Sequence, residues 1–174
     1  VELRYQGSLT ETGRDSKGET VKRFNQYCLV TRSDGGGYHI GFLVDERGGG
    51  SWPWPERYGA IQLDAARKPL NPAQIRLLYI HEEKPTSIRI RRPVFDQLDK
   101  LSDQANWTVG QTKYAVTGSA TVQDMDCWNV EIVTNFGLRE KLAVEKTSGL
   151  IVKSERQLTR GQASMIELLP AAVR

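Results

Sequence analysis

Apolar and polar residues alternate at a period of two through most of this 174-residue chain, and that pattern dictates extended ribbon rather than helix. Val1, Leu3 and Tyr5 are apolar while Glu2, Arg4 and Gln6 are polar, which is a strand with one wet face. After a glycine-punctuated stretch (Gly13 to Gly18), Val21 to Thr31 reads as a longer strand whose middle, Tyr27 to Val30, is apolar on both faces. Ser33-Asp34-Gly35-Gly36-Gly37 turns the chain, and Tyr38, Ile40, Phe42 and Val44 follow at period two before Asp45 to Ser51 turns it again. The expectation is a three-strand antiparallel meander.

The second half repeats this grammar. Lys113 to Gly118, Ala120 to Gln123, Cys127 to Thr134, Leu138 to Val144, Leu150 to Leu158 and Ala163 to Leu169 are strand-like, with turns at Asn135-Phe136-Gly137 and Thr147-Ser148-Gly149. Between the halves, Ile75 to Tyr79 and Ile88 to Arg91 fit a hairpin around Pro85. Pro93 suits a first helical turn, and Val94, Leu98, Leu101 and Ala105 fall at spacings of four, three and four, which predicts one amphipathic helix. The fold class expected is mainly β: a large curved antiparallel sheet or half-barrel of eight or more strands, with one principal helix packed against it. No linker or composition break divides residues 1–174, so a single β-rich domain is expected.

Composition narrows the function classes. Lys and Arg number 24 against 21 Asp and Glu, and this near balance argues against a nucleic-acid partner. No apolar run approaches the length of a spanning helix. By area scaling, a chain of 19.6 kDa buries roughly 70% of its extended surface, so a core forms without a metal or disulfide staple. The chain opens at Val1 with no Met and no apolar leader, which reads as a mature chain processed from a secreted precursor or a domain excised from a longer one.

The helix before Trp107, the run Cys127-Trp128-Asn129-Val130-Glu131-Ile132 and the run Leu142 to Val152 with its Ser148-Gly149-Leu150 turn resemble the extracytoplasmic half-barrel proteins related to the LolA, LolB and LppX lipoprotein carriers and the RseB sensor. The resemblance spans mainly Trp107 to Leu169. It implies a curved sheet whose concave face, partly covered by helix, holds acyl chains or contacts a protein in the periplasm or cell envelope. It carries over no catalytic residue and no cofactor. With 8% aromatic residues and a mean hydropathy of −0.49, few apolar side chains are left over to line a deep lipid pocket, which favours a modest cleft or a protein-contact surface.

Trp52-Pro53-Trp54-Pro55 is the most unusual stretch: its prolines hold two indoles on a stiff extended loop. Those indoles either anchor a partner, a peptide or a lipid surface, or fold down with Tyr58 to lid an open end of the sheet. Arg89, Arg91 and Arg92 offer a phosphate or anionic head group a landing place, or form a solvated edge. His81-Glu82-Glu83 lacks the second histidine of a zinc helix, and Gly35–Gly37 and Gly48–Gly50 lack the tail of a phosphate loop, so neither a metal nor a nucleotide is expected. No serine sits in a nucleophile elbow. Cys28 and Cys127 either bridge, for about 4 to 5 kcal/mol in the chain-entropy model, or serve as two separate small hydrophobes.

The reading is therefore a non-enzymatic extracytoplasmic binding domain that holds a lipid, a lipoprotein-like ligand or a protein partner, with peripheral envelope association. Its expected site residues are Trp52, Trp54 and Tyr58 at the rim, with Val94, Leu98 and Leu101 on the covering helix. The alternatives are an accessory domain of a longer envelope or redox protein, and an uncharacterised hydrolase.

Overall fold

The computed structural model describes residues 1–12, 18–47, 58–70, 76–81, 84–89, 92–159 and 162–168. The strands are β1 (Glu2–Thr12), β2 (Glu19–Arg32), β3 (Tyr38–Arg47), β4 (Tyr58–Leu63), β5 (Arg76–His81), β6 (Lys84–Arg89), β7 (Asn106–Val109), β8 (Thr112–Val122), β9 (Met125–Val133), β10 (Arg139–Glu145), β11 (Ile151–Thr159) and β12 (Gln162–Leu168). A four-strand meander, β1 to β4, and a five-strand meander, β8 to β12, lie side by side with the short β7 on the far edge, in the order β4-β3-β2-β1-β12-β11-β10-β9-β8-β7. The protein is mainly β and antiparallel, and β5 and β6 pair as a separate hairpin. Among the described residues no ladder joins β4 to β7, so the sheet is open and not a closed barrel.

Local chemistry explains the hairpins. At the β2–β3 turn, the Ser33 amide donates to the Gly37 carbonyl at 3.0 Å and the Gly36 amide to the Ser33 carbonyl at 3.0 Å. Gly37 is obligatory there, because a Cβ would stand 2.2 Å from the Leu63 carbonyl oxygen. In the β1–β2 ladder Gly7 faces Phe24, whose ring lies over the space a glycine side chain leaves empty.

Directly paired residues share a face, which lets one side of the sheet be followed from Leu142 through Ser154, Ile166 and Gly7 to Phe24. That inner face carries most of the core. Leu3, Tyr5, Cys28, Ile40, Phe42, Ile61 and Leu63 belong to one cluster, which also takes in Val152 and, from the side of β9 and β10 opposite Leu142, the buried Cys127 and Ala143. Val116, Val130, Ile132, Leu142, Val144 and Ile151 form a second cluster around Phe95. The Tyr5 hydroxyl reaches across β12 and donates to the Ile151 carbonyl on β11 at 3.1 Å, tying the two meanders together over the inner face.

The structure corrects the helix expected over Pro93 to Ala105. Among the described residues the only helical element is a 3-10 turn at Leu98–Lys100. Of the apolar residues at helical spacing, Leu101 and Ala105 pack against the core, but from an irregular strap. Pro93 to Phe95 gain more by bonding to the start of β11 than an isolated short helix can offer in water. Lys113 to Gly118 and Ala120 to Gln123, read as two strands, fall on one strand, β8, which ends at Val122 and carries a bulge between Val116 and Gly118. Edge strands β4 and β7 escaped notice because one opens on Tyr58-Gly59-Ala60 and the other has only four residues. Cys28 and Cys127 are free buried thiols.

Burial pushes the Cys28 thiol up to about 12, a rise only partly opposed by the Gln26 amide that donates to its sulfur at 3.3 Å. An unfolded thiol ionises near 9, so between pH 9 and 12 the unfolded state sheds a proton the native state keeps, and stability falls as pH rises. Chemical denaturation should show unfolding free energy dropping above pH 9, and Cys28→Ala should flatten that drop. Equal slopes in both proteins would contradict the deep burial of this thiol.

Candidate functional site

The strap from Arg92 to Ala105 is the only described segment that crosses the inner face of the second meander. It begins as a fragment of strand. The Ile151 amide donates to the Pro93 carbonyl at 2.7 Å, the Phe95 amide donates to the Gly149 carbonyl at 2.8 Å, and Val94 bridges Leu150 between these bonds. Proline, which has no amide to offer, serves here purely as an acceptor. Phe95 then turns inward at 1% exposure and fills the space among Val116, Val130, Ile132 and Leu142. Leu101 and Ala105 pack against the same cluster.

Polar contacts fasten the strap along its length. Arg67, held in the left-handed region at φ 64, donates from Nη1 to the Phe95 carbonyl at 3.3 Å, and Arg92 Nη1 donates to the Arg67 carbonyl at 3.1 Å. Arg92 also pairs with Asp96 at 3.0 Å. Farther on, the Trp107 indole donates to Gln97 Oε1 at 2.6 Å while its ring stacks on Tyr114 at 5.0 Å between centroids. The Val116 amide donates to the Ala105 carbonyl at 2.8 Å and hands the strap over to β7.

The turn under the strap is set by Glu145. Partial burial works to raise its carboxyl, but the Ser148 hydroxyl and the Thr147 and Ser148 amides, donating at 2.5, 2.9 and 2.6 Å, outweigh burial and hold it below the usual carboxylate range. On the inner face, the Ser154 hydroxyl donates to the buried Glu140 carboxylate at 3.3 Å.

Of the residues expected at the site, the structure brings Val94, Leu98 and Leu101 together on the strap, each half-buried. Trp52 and Trp54 lie outside the described residues. Tyr58 opens β4 at 77% exposure and pairs with Leu43, on the side of the sheet opposite Phe42 and therefore opposite the strap. Arg92 belongs to the strap rather than to an edge strand, Arg89 pairs with Arg76 in the β5–β6 hairpin, and Arg91 lies outside the described residues. Sequence reasoning missed Phe95, Arg67 and Gln97. Phe95 fell off the apolar stripe of the assumed helix; an extended reading of Pro93-Val94-Phe95 would have pointed it inward.

The fold and the strap define an open antiparallel sheet with one face bridged by a connection. No family model matches the chain, and no curated protein matches it. Among solved structures, it is similar to a β-barrel-like protein of domain of unknown function DUF1849 from Brucella abortus, at 13% identity and a TM-score of 0.51, covering 97% of this chain and 96% of that one. Matches also include a LolA superfamily protein from Nitrosomonas europaea, at 13% identity, 99% and 86% coverage and a TM-score of 0.26. A putative outer membrane lipoprotein-sorting protein domain from Vibrio parahaemolyticus matches at 8% identity, 97% and 83% coverage and a TM-score of 0.29.

Truncating the buried ring is the direct check on the strap. Phe95→Ala should cost about 3 to 5 kcal/mol of unfolding free energy by denaturant titration. A loss below about 1 kcal/mol would mean that the strap lies on the surface rather than plugging the core.

Proposed function

We propose that this chain is a non-enzymatic extracytoplasmic binding domain that holds a lipid or lipoprotein-like ligand on the inner face of its sheet, beneath the strap. The observation that carries this reading is the strap itself. It covers an apolar surface spanning β8 to β11, yet it is held by side-chain contacts, a single bridge and one further backbone bond, from the Val116 amide to the Ala105 carbonyl, rather than by a ladder of its own. A segment so attached can lift as one piece and expose that surface, with Phe95 standing in for the acyl chain it would yield to. Val94, Leu98 and Leu101 would then line the ligand from above, and Trp52 and Trp54 would contribute to the rim, whereas Tyr58 faces the other side of the sheet. Among the described residues no helix is long and apolar enough to cross a membrane, and attachment to the envelope in this reading is peripheral.

A second reading, an accessory domain that docks a protein, is favoured by one specific feature. The outer face of the first meander exposes Leu29 at 58%, Leu43 at 49% and Tyr58 at 77%, and Tyr27, Leu43 and Tyr58 stand in one cross-strand row. Large apolar side chains gathered on one sheet face mark contact surfaces more often than accidents.

A covalent lock separates the two. The bonds flanking Val94 and Leu150 make them a narrow, non-hydrogen-bonded pair, whose Cα separation of about 4.5 Å suits a disulfide. Native mass spectrometry of detergent-free protein should show bound lipid on the wild type. The oxidised Val94→Cys/Leu150→Cys variant should carry none, and reduction should restore loading. Bare wild-type chain, or equal loading of the oxidised and reduced variant, would reject lipid binding beneath the strap and leave the Leu29, Leu43 and Tyr58 surface as the functional face.

A further inference from the structure

The side of the second meander that faces away from the strap is not flat. The ladders align Gly118, Asn129, Ala143 and Lys153 in one row across β8, β9, β10 and β11. Glu131, Lys141 and Glu155 form the neighbouring row across β9, β10 and β11. β-Bulges interrupt β8 beside this row, between Val116 and Gly118, and the β10–β11 ladder, between Ala143 and Val144. Bulges sharpen local twist, and here they flank a row whose centre carries only a glycine, an asparagine and an alanine. The result is a trough of about 510 Å³, with Thr117 and Val122 on β8 among its walls. Such a volume falls within the range of small-molecule sites.

The charges in the trough are unevenly matched. Glu131 pairs with Arg139 at 3.4 Å and Glu155 pairs with Lys153 at 3.4 Å. Lys141 stands between these two carboxylates in the ladder, is exposed, and makes no ion pair or hydrogen bond among the described residues. The ground beside it is apolar: the Ala143 methyl, the Val122 side chain and the open backbone at Gly118, where a Cβ would meet nothing within 4 Å. An uncommitted ammonium at the edge of an apolar hollow is complementary to a molecule with one negative end and a short hydrocarbon body.

We propose that this trough binds a small amphipathic anion, with a single carboxylate or phosphate head on Lys141 and a short apolar body over Gly118, Ala143 and Val122. The site is on the opposite side of the sheet from the strap and does not depend on ligand binding beneath it. Arg139 and Lys153 engage the two carboxylates in its bank, Glu131 and Glu155, which leaves the Lys141 ammonium to meet the head of the anion.

Calorimetric titration of the whole chain tests this with octanoate and octyl phosphate as probes, acetate and inorganic phosphate as heads without a body, and octyltrimethylammonium as a cation with the same body. At least one of the two octyl anions should bind, and whichever binds more tightly identifies the head as carboxylate or phosphate. Acetate, inorganic phosphate and the ammonium probe should bind at least about tenfold more weakly. Lys141→Gln should weaken the octyl anion by about tenfold or more, the usual worth of a charge-assisted hydrogen bond. Exposed Lys113→Gln should leave binding unchanged. The oxidised Val94→Cys/Leu150→Cys variant should also bind as the wild type does, which separates this site from the strap. Failure of both octyl anions to bind, equal binding by Lys141→Gln, or equal binding of the ammonium probe would overturn the proposal.

Discussion

The β1–β12 ladder is the seam on which the rest of the structure depends. Each meander is assembled from hairpins between neighbours in sequence, which local turns can close. Only the register running from Tyr5 opposite Leu168 to Glu11 opposite Gln162 joins the meanders into one sheet. Without it, the cluster that combines Leu3, Tyr5 and Cys28 with Cys127, Ala143 and Val152 would divide into two thin layers, each with an apolar face turned to water. The Tyr5 hydroxyl on the Ile151 carbonyl gives the seam a second tie, and because that bond is buried, losing it would leave an unpaired polar group in the core. Closing a ladder between segments this far apart costs loop entropy before any contact rewards it, so the seam is the natural slow step of folding.

The seam also decides where the strap must run. With β1 and β12 at the centre, β4 and β7 fall at opposite edges of the sheet, and the chain between them has to cross a face to connect them. It crosses the inner face and covers the Phe95 cluster. The other side carries the exposed Leu29, Leu43 and Tyr58 surface on the first meander and, beside the buried Cys127 and Ala143, the Lys141 trough on the second. Topology thus separates a covered apolar side from an open side of mixed chemistry, and both functional readings follow from that division.

Much of the sheet was legible because alternation reports burial directly. Tyr38, Ile40, Phe42 and Val44 all face inward, and the glycine turn after Arg32 sits where its residues require. The seam was not legible, since nothing in β1 or β12 names a partner and alternation fixes faces without fixing neighbours. The helix was misread for a physical reason. Leu101 and Ala105 do reach the core, but turns and a bridge place them there as well as a helix would, and periodicity cannot tell these apart. The trough was hidden more deeply, because a bulge in β8 brings Gly118 into line with Asn129 and Ala143, and a bulge leaves little trace in the residues that make it.

That the connection is a strap and not a helix has energetic consequences. A helix carries its own backbone hydrogen bonds and survives undocking with most of them intact. The segment from Pro93 to Phe95 instead borrows its bonds from Gly149 and Ile151, and its arginine clamp borrows the carbonyls of Arg67 and Phe95. Lifting the strap would break all of these together and return each group to water, so docking is cooperative and nearly all-or-none. In the proposed function the apolar surface beneath would therefore be either shut by Phe95, as in the structure, or open along its length. In the proposed lipid-binding reading, a ligand taking that place would have to supply apolar contact equal to a buried phenyl ring before the strap could stay raised, which would favour a hydrocarbon chain over a polar solute.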